Sequence, residues 1–248
     1  MLPAGAPDVW GGRPVLIGLA HGSRHHRVAE GVEAVLAEVT ALTGVPSRAA
    51  YLDLTDPDLD AVAADLAAAG ESRAVVVPLL FTDAFHARID VPDAVHRAAE
   101  SSGVTLELSP ILGTDDDLAD VVAARLRAAG TAPDAPVLLY AVGSSRPDAN
   151  AAVAGLADRL AARRGAPVRA GFGTTEPRAT DVLTELVDAG SPPGTVVPLF
   201  VAPGLLLDAI APTVAAAGWQ LVDPLGTLLA PVVADRYRTA LRSAGPLH

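Results

Sequence analysis

The chain is written twice. Pro14-Val15-Leu16-Ile17 returns as Pro136-Val137-Leu138-Leu139, Thr55-Asp56-Pro57 as Thr175-Glu176-Pro177, Val76-Val77-Pro78-Leu79 as Val196-Val197-Pro198-Leu199, and Leu112-Gly113-Thr114 as Leu225-Gly226-Thr227. Each return comes after about 120 residues, a length that can bury its own core. A chain of 248 residues built this way is expected to fold as two similar units. The second copy then serves as an internal comparison. What both copies share reads as scaffold, and what one copy alone carries is a candidate for chemistry.

Each copy alternates short Val/Leu-rich runs with longer stretches of helical period. Val28, Val32, Val35, Leu36, Val39 and Leu42 recur at three- and four-residue steps and predict one apolar stripe on a helix. Leu59, Val62 and Leu66 predict the next. Residues 15–20, 49–54, 74–81 and 104–108 read as strands, and Gly44, Gly70, Gly103 and Gly130 fall where a left-handed residue closes a helix. The predicted order is βαβαβαβα in both copies. Continuously apolar strands separated by helices predict a parallel sheet covered on both faces. The expected fold class is therefore α/β, with two tandem doubly wound parallel-sheet domains related by internal duplication. The Ala/Pro/Gly-rich stretch 130–135 is the expected linker, giving domains at 1–130 and 131–248.

Composition narrows the chemistry by exclusion. The chain has no cysteine, which removes disulfides, thiolate metal sites and cysteine nucleophiles. All 18 basic residues are arginine, so a P-loop lysine and a Schiff-base lysine are both ruled out. A net charge of −11 argues against nucleic acid as a partner. Apolar runs such as 74–81 are far shorter than the ~20 residues that span a bilayer, so no membrane association is expected. The N-terminal segment has neither a basic start nor an apolar core, and the expected location is the cytoplasm.

In open parallel sheets ligands bind beyond the carboxyl ends of the strands, where strand order reverses. With the order 2-1-3-4 that point lies between strands 1 and 3. The first copy places a histidine after each: strand 1 runs into His21-Gly22-Ser23-Arg24, and strand 3 is followed by Thr82-Asp83-Ala84-Phe85-His86. Strand 2 brings Asp53. In the second copy Val142 replaces His21, Gly173 aligns with Asp53, and Leu205 or Leu206 falls opposite His86. Gly22 and Ser23 return as Gly143 and Ser144 and read as turn and helix-cap residues. Two neutral imidazoles beside a carboxylate suit transient binding of a divalent transition metal, and the same groups accept protons at neutral pH.

These segments, together with Val77-Pro78-Leu79-Leu80-Phe81 and Asp90-Val91-Pro92, resemble the sirohydrochlorin chelatases of the two-domain type, related to cobalt and iron chelatases. The resemblance covers residues 14–242 and includes the duplication. It implies insertion of Co²⁺ or Fe²⁺, as substrate, into sirohydrochlorin on the way to cobalamin or sirohaem, with no permanently bound cofactor. It further implies that His21 and His86 bind the metal and help remove the pyrrole protons, with Asp53 as the acidic partner. Guanidinium pairs bidentately with carboxylate, so Arg24 and Arg88, with Ser23, are the candidates for holding the carboxylates at the substrate's rim.

Other readings stay open. A non-catalytic metal or tetrapyrrole carrier would use the same cleft, whereas a phosphate-binding loop is disfavoured because Gly22 stands alone. His25 and His26 are expected as surface histidines at a helix start, and His96 and His248 are assigned no role. Asp90 and Asp115-Asp116-Asp117 read as helix starts. Two fused copies can supply internally the interface that a single-domain relative makes by pairing. We therefore expect a monomer, and light scattering that returned an obligate dimer would overturn this.

Overall fold

The computed structural model describes residues 12–83 and 89–243. The chain divides into two compact units, Met1–Leu112 with Ala230–His248, and Gly113–Leu229. The first unit contains β1 (Val15–Ala20), α1 (Val28–Thr43), β2 (Ser47–Tyr51), α2 (Leu59–Ala68), β3 (Arg73–Pro78), α3 (Val91–Ser102) and β4 (Thr105–Leu108). The second contains α4 (Asp116–Ala128), β5 (Val137–Ala141), α5 (Pro147–Arg164), β6 (Val168–Phe172), α6 (Ala179–Asp188), β7 (Thr195–Pro198), α7 (Leu205–Ala216) and β8 (Gln220–Leu221). The last helix, α8 (Ala230–Ser243), returns to the first unit. Both sheets are parallel, ordered β2-β1-β3-β4 and β6-β5-β7-β8, as the doubly wound reading expects.

The division at residue 130 is not the one observed. The helix that follows the fourth strand of each copy packs in the other unit: α4 lies with α5 and β7, and α8 with α1 and β3. The chain changes unit at Leu112/Gly113 and again at Leu229/Ala230. The repeated Leu-Gly-Thr motif stands at or just before each change. In each unit an arginine from the exchanged helix is tied to this motif. Arg236 donates from Nε to the Ile111 carbonyl at 2.9 Å and from a terminal nitrogen to that of Leu112 at 2.6 Å, and Arg125 donates to the Leu225 carbonyl at 2.9 Å. Hydrogen bonds with one charged partner contribute roughly 1.5–3 kcal/mol each. A linker of the right composition at 130–135 therefore lies inside the second unit.

β1 is buried along its whole length because it is central in its sheet and covered on both faces. Val15, Ile17 and Leu19 point to one face, where they meet Leu59, Val62, Ala63 and Leu66 of α2 and Val91, Ala94, Val95 and Ala98 of α3. Gly18 points to the other face. An added Cβ there would stand 2.6 Å from Cδ2 of Leu36, so the absent side chain is what lets α1 lie close. Leu42, expected on the α1 stripe, is 48% exposed, and the stripe ends at Val39. Gly44, Gly70, Gly103 and Gly130 all take positive φ after helices. Asp90 and Asp115 occupy the positions just before α3 and α4, and Asp116 pairs with Arg163 at 2.8 Å. Among the described residues no helix is long and apolar enough to cross a membrane.

Tyr51 ends β2 opposite Ala20, in the position that Phe172 holds opposite Ala141 in the second sheet. The ring is buried, and its Oη has no hydrogen-bond partner among the described residues. Burial, helped by the charge of Glu33, pushes the phenol from 10.0 up to about 12. The folded chain thus keeps a proton that the unfolded chain releases, so the associated stability is complete below about pH 10 and is lost as pH rises toward 12. Burial pushes Tyr140 and Tyr237 in the same direction. Tyr51→Phe, which installs the second copy's own residue, is expected to stabilise the protein by about 1–3 kcal/mol at neutral pH. It should also reduce, without abolishing, the alkaline loss between pH 10 and 12. Urea denaturation across that pH range checks both; unchanged midpoints would contradict the unpaired hydroxyl.

Candidate functional site

The pairing of β1 with β2 continues beyond the strands. Leu52 N–H donates to the Ala20 carbonyl at 2.9 Å, and Asp53 N–H donates to the His21 carbonyl at 3.0 Å. His21 and Asp53 are therefore backbone neighbours at the carboxyl edge of the sheet, and both residues are exposed. Gly22 follows with φ +92, and an added Cβ would lie 1.8 Å from the Asp53 carbonyl oxygen. Only a residue without a side chain lets the chain turn so close to its neighbour.

The next residues are locked by short-range polar bonds. Ser23 N–H donates to Thr55 Oγ1 at 3.0 Å, and that hydroxyl donates back to the Ser23 carbonyl at 2.9 Å. Ser23 Oγ accepts the amide of His25 at 3.1 Å. This supports the turn role, while the serine hydroxyl retains its own proton to donate. Arg24 is exposed. His25 departs from expectation, since it is only 7% exposed rather than a surface residue. Its Nδ1 accepts the amide of Arg27 at 3.2 Å, and its ring stacks on that of His26 with centroids 4.7 Å apart. The imidazole thus works as the first anchor of α1, a role that composition does not reveal. His26 is exposed, as expected.

His86 and Arg88 lie outside the described residues. Among the described residues no group of three His, Asp or Glu side chains is arranged to hold a metal ion. The structure thus brings together His21, Asp53 and the Ser23 turn. Asp53 Oδ1 also accepts the amide of Leu54 at 2.8 Å, which fixes where the carboxylate stands.

The second unit shows the same turn without the ionisable groups. Gly143 has φ +91, and Ser144 Oγ accepts the amide of Arg146 at 3.1 Å. There the serine backbone is held by Asn150, which accepts from Ser144 N–H at 2.9 Å and donates to its carbonyl at 2.8 Å. Thr174 N–H donates to the Val142 carbonyl at 2.9 Å, so Thr174 rather than Gly173 is the counterpart of Asp53. The sequence comparison misses this by one residue because the first copy carries an extra residue in the loop. Thr174 turns its hydroxyl back onto Val142 O at 2.8 Å, where Asp53 presents a carboxylate. The second copy still has no ionisable residue in the place of Asp53. Thr55, which clamps Ser23, is visible in sequence only as part of Thr-Asp-Pro, which returns as Thr-Glu-Pro.

The CbiX family model matches this chain twice, over residues 15–129 and 136–240. The sirohydrochlorin ferrochelatase of Bacillus subtilis (strain 168) is 28% identical over 151 residues, which cover 60% of this chain and 58% of that protein. Among solved structures, SirB from Bacillus subtilis with Fe³⁺ superposes with a TM-score of 0.78 at 25% identity, covering 94% of this chain and 97% of that one. The sirohydrochlorin chelatase SirB from Bacillus subtilis subspecies spizizenii, in complex with cobalt, shares the fold with a TM-score of 0.78 at 23% identity, covering 93% and 96%. The family match repeats where the sequence repeats and takes in nearly all of both sheets. This chain belongs to the CbiX family, whose domain it carries in two copies.

Proposed function

We propose that this protein is a sirohydrochlorin chelatase, inserting Co²⁺ or Fe²⁺ into the macrocycle with its first unit. The observation that carries the reading is the backbone bond from Asp53 to His21, which makes a histidine and an aspartate main-chain neighbours at the carboxyl ends of β1 and β2. The names of the relatives support it: one is a ferrochelatase for this substrate, and solved relatives hold iron or cobalt.

The chemistry asks little beyond these groups. The entering ion replaces two pyrrole N–H protons and sheds bound water, so ligands that are also bases suffice. His21 takes the ion from solution and accepts a proton as the macrocycle loses it. His86 serves as the second ligand, and Asp53 offsets the ion's charge. Arg24, Arg88 and the Ser23 hydroxyl hold the substrate's peripheral carboxylates, locally countering a chain of net charge −11. The metal is substrate, and we assign no resident cofactor. The same reading makes the protein a cytoplasmic monomer without nucleic-acid or membrane partners.

The test is the absorption spectrum of sirohydrochlorin under anaerobic conditions with excess Co²⁺ or Fe²⁺. The native protein should give many turnovers, and His21→Ala and His86→Ala should each lose about 10²-fold or more, the usual contribution of a positioned base. Asp53→Asn should lose less, since it removes charge but keeps the bond geometry. Native protein that binds sirohydrochlorin without accelerating insertion of either metal would be a carrier and not an enzyme.

A further inference from the structure

The loop from β2 to α2 differs between the units by a single residue. Tyr51 N–H donates to the Pro57 carbonyl at 3.0 Å and Phe172 N–H to that of Pro177 at 2.9 Å, so these bonds mark matching ends. Between them lie residues 52–56 in the first unit and 173–176 in the second. Asp53 matches Thr174 through the bond to the preceding loop, and Thr55 matches Thr175 in the repeated motif. The residue left over is Leu54.

Leu54 is the only non-glycine residue with positive φ among the described residues, at +62°. A leucine held there is strained, whereas glycine or asparagine would adopt the conformation readily. Burial does not offset the strain, because the residue is 48% exposed. Its amide is bonded to Asp53 Oδ1, so the strained residue and the candidate carboxylate are one unit. Ile89, 46% exposed, belongs to the connection after β3, the strand that pairs with β1 on the side away from β2. That connection spans residues 79–90, against 199–204 after β7. Both connections are thus longer in the first unit than in the second, and among the described residues each carries an exposed apolar side chain. Strain that the fold does not repay is characteristic of ligand sites.

We infer that Leu54 is a substrate-binding residue, whose side chain packs on the apolar face of the tetrapyrrole and sets the macrocycle over His21 and Asp53. The inference rests on the chelatase reading for the identity of the ligand. A flat, largely apolar ring with charged arms needs both kinds of contact. The arginines grip the arms, and Leu54 meets the ring.

The experiment compares the full-length protein with Leu54→Gly, Leu54→Asn and Leu54→Met. Affinity for metal-free sirohydrochlorin is followed by its fluorescence, KM and kcat by insertion of Co²⁺, and stability by thermal melting. Glycine and asparagine should melt within a few degrees of the native protein or above it. They should nevertheless weaken sirohydrochlorin binding about tenfold, as loss of one buried leucine contact does. KM for sirohydrochlorin should rise with it, with KM for Co²⁺ unchanged and with methionine restoring most of the loss. Native affinity in both the glycine and asparagine variants overturns the inference and leaves the chelatase reading standing. Native protein that binds sirohydrochlorin but does not insert metal overturns the chelatase reading, while the affinities still decide Leu54. Native protein that does not bind sirohydrochlorin overturns both.

Discussion

The parallel ladder between β1 and β2 outlasts the strands it joins, and the candidate site is built from that extension. A strand normally releases its chain at the sheet edge, where side chains drift with the loop. Here the carbonyls of Ala20 and His21 go on accepting amides from Leu52 and Asp53, so the first loop residues inherit the register of the sheet. Register in turn depends on the two buried faces of β1 being unlike, because a slip of one residue would bring a side chain to the place where Gly18 leaves room for Leu36. Gly18 permits α1 to close one face, and Gly22 permits the chain to turn beside the Asp53 carbonyl. The backbones that carry the imidazole and the carboxylate are therefore positioned by main-chain bonds rooted in the core.

The duplication explains which parts of this arrangement are scaffold. Both units make the glycine turn with the same left-handed φ and the same serine bond to an amide two residues on. They differ in what clamps the serine backbone, Thr55 from the neighbouring loop in one and Asn150 from the following helix in the other. In the first unit the clamp ties the turn to the very loop that carries Asp53. In the second it ties the turn to its own helix, and the neighbouring loop reaches across through Thr174, whose N–H and hydroxyl both donate to the Val142 carbonyl. The two loops are thus coupled in both copies, but only in the first does the coupling hold the serine. This difference matches the distribution of ionisable residues.

Much of this was legible from residue order. Apolar runs separated by helical stripes sufficed for two α/β units, and the order 2-1-3-4 assumed for their strands is the one observed. His21 and Asp53 could be singled out because Val142 and a non-ionisable residue stand in their places in the second copy. What failed did so for identifiable reasons. The alignment of Asp53 with Gly173 ignored an inserted Leu54, which only the hydrogen-bond pattern reveals. His25 reads as a polar surface residue by composition, yet an imidazole whose Nδ1 receives an amide can be buried at a helix start.

The sequence by itself determined the number of units, their class and the chemistry available to them, because these depend on local periodicity, on residue type and on comparing one copy with the other. The tertiary structure alone decided that α4 and α8 are exchanged between units, that His21 and Asp53 are joined through the main chain, and that Leu54 stands strained and exposed beside them. Each of these is a relation between residues distant in sequence or a backbone angle set by the surrounding loop. Periodicity carries no record of such relations, since the same apolar stripe on α8 would serve equally well against either sheet.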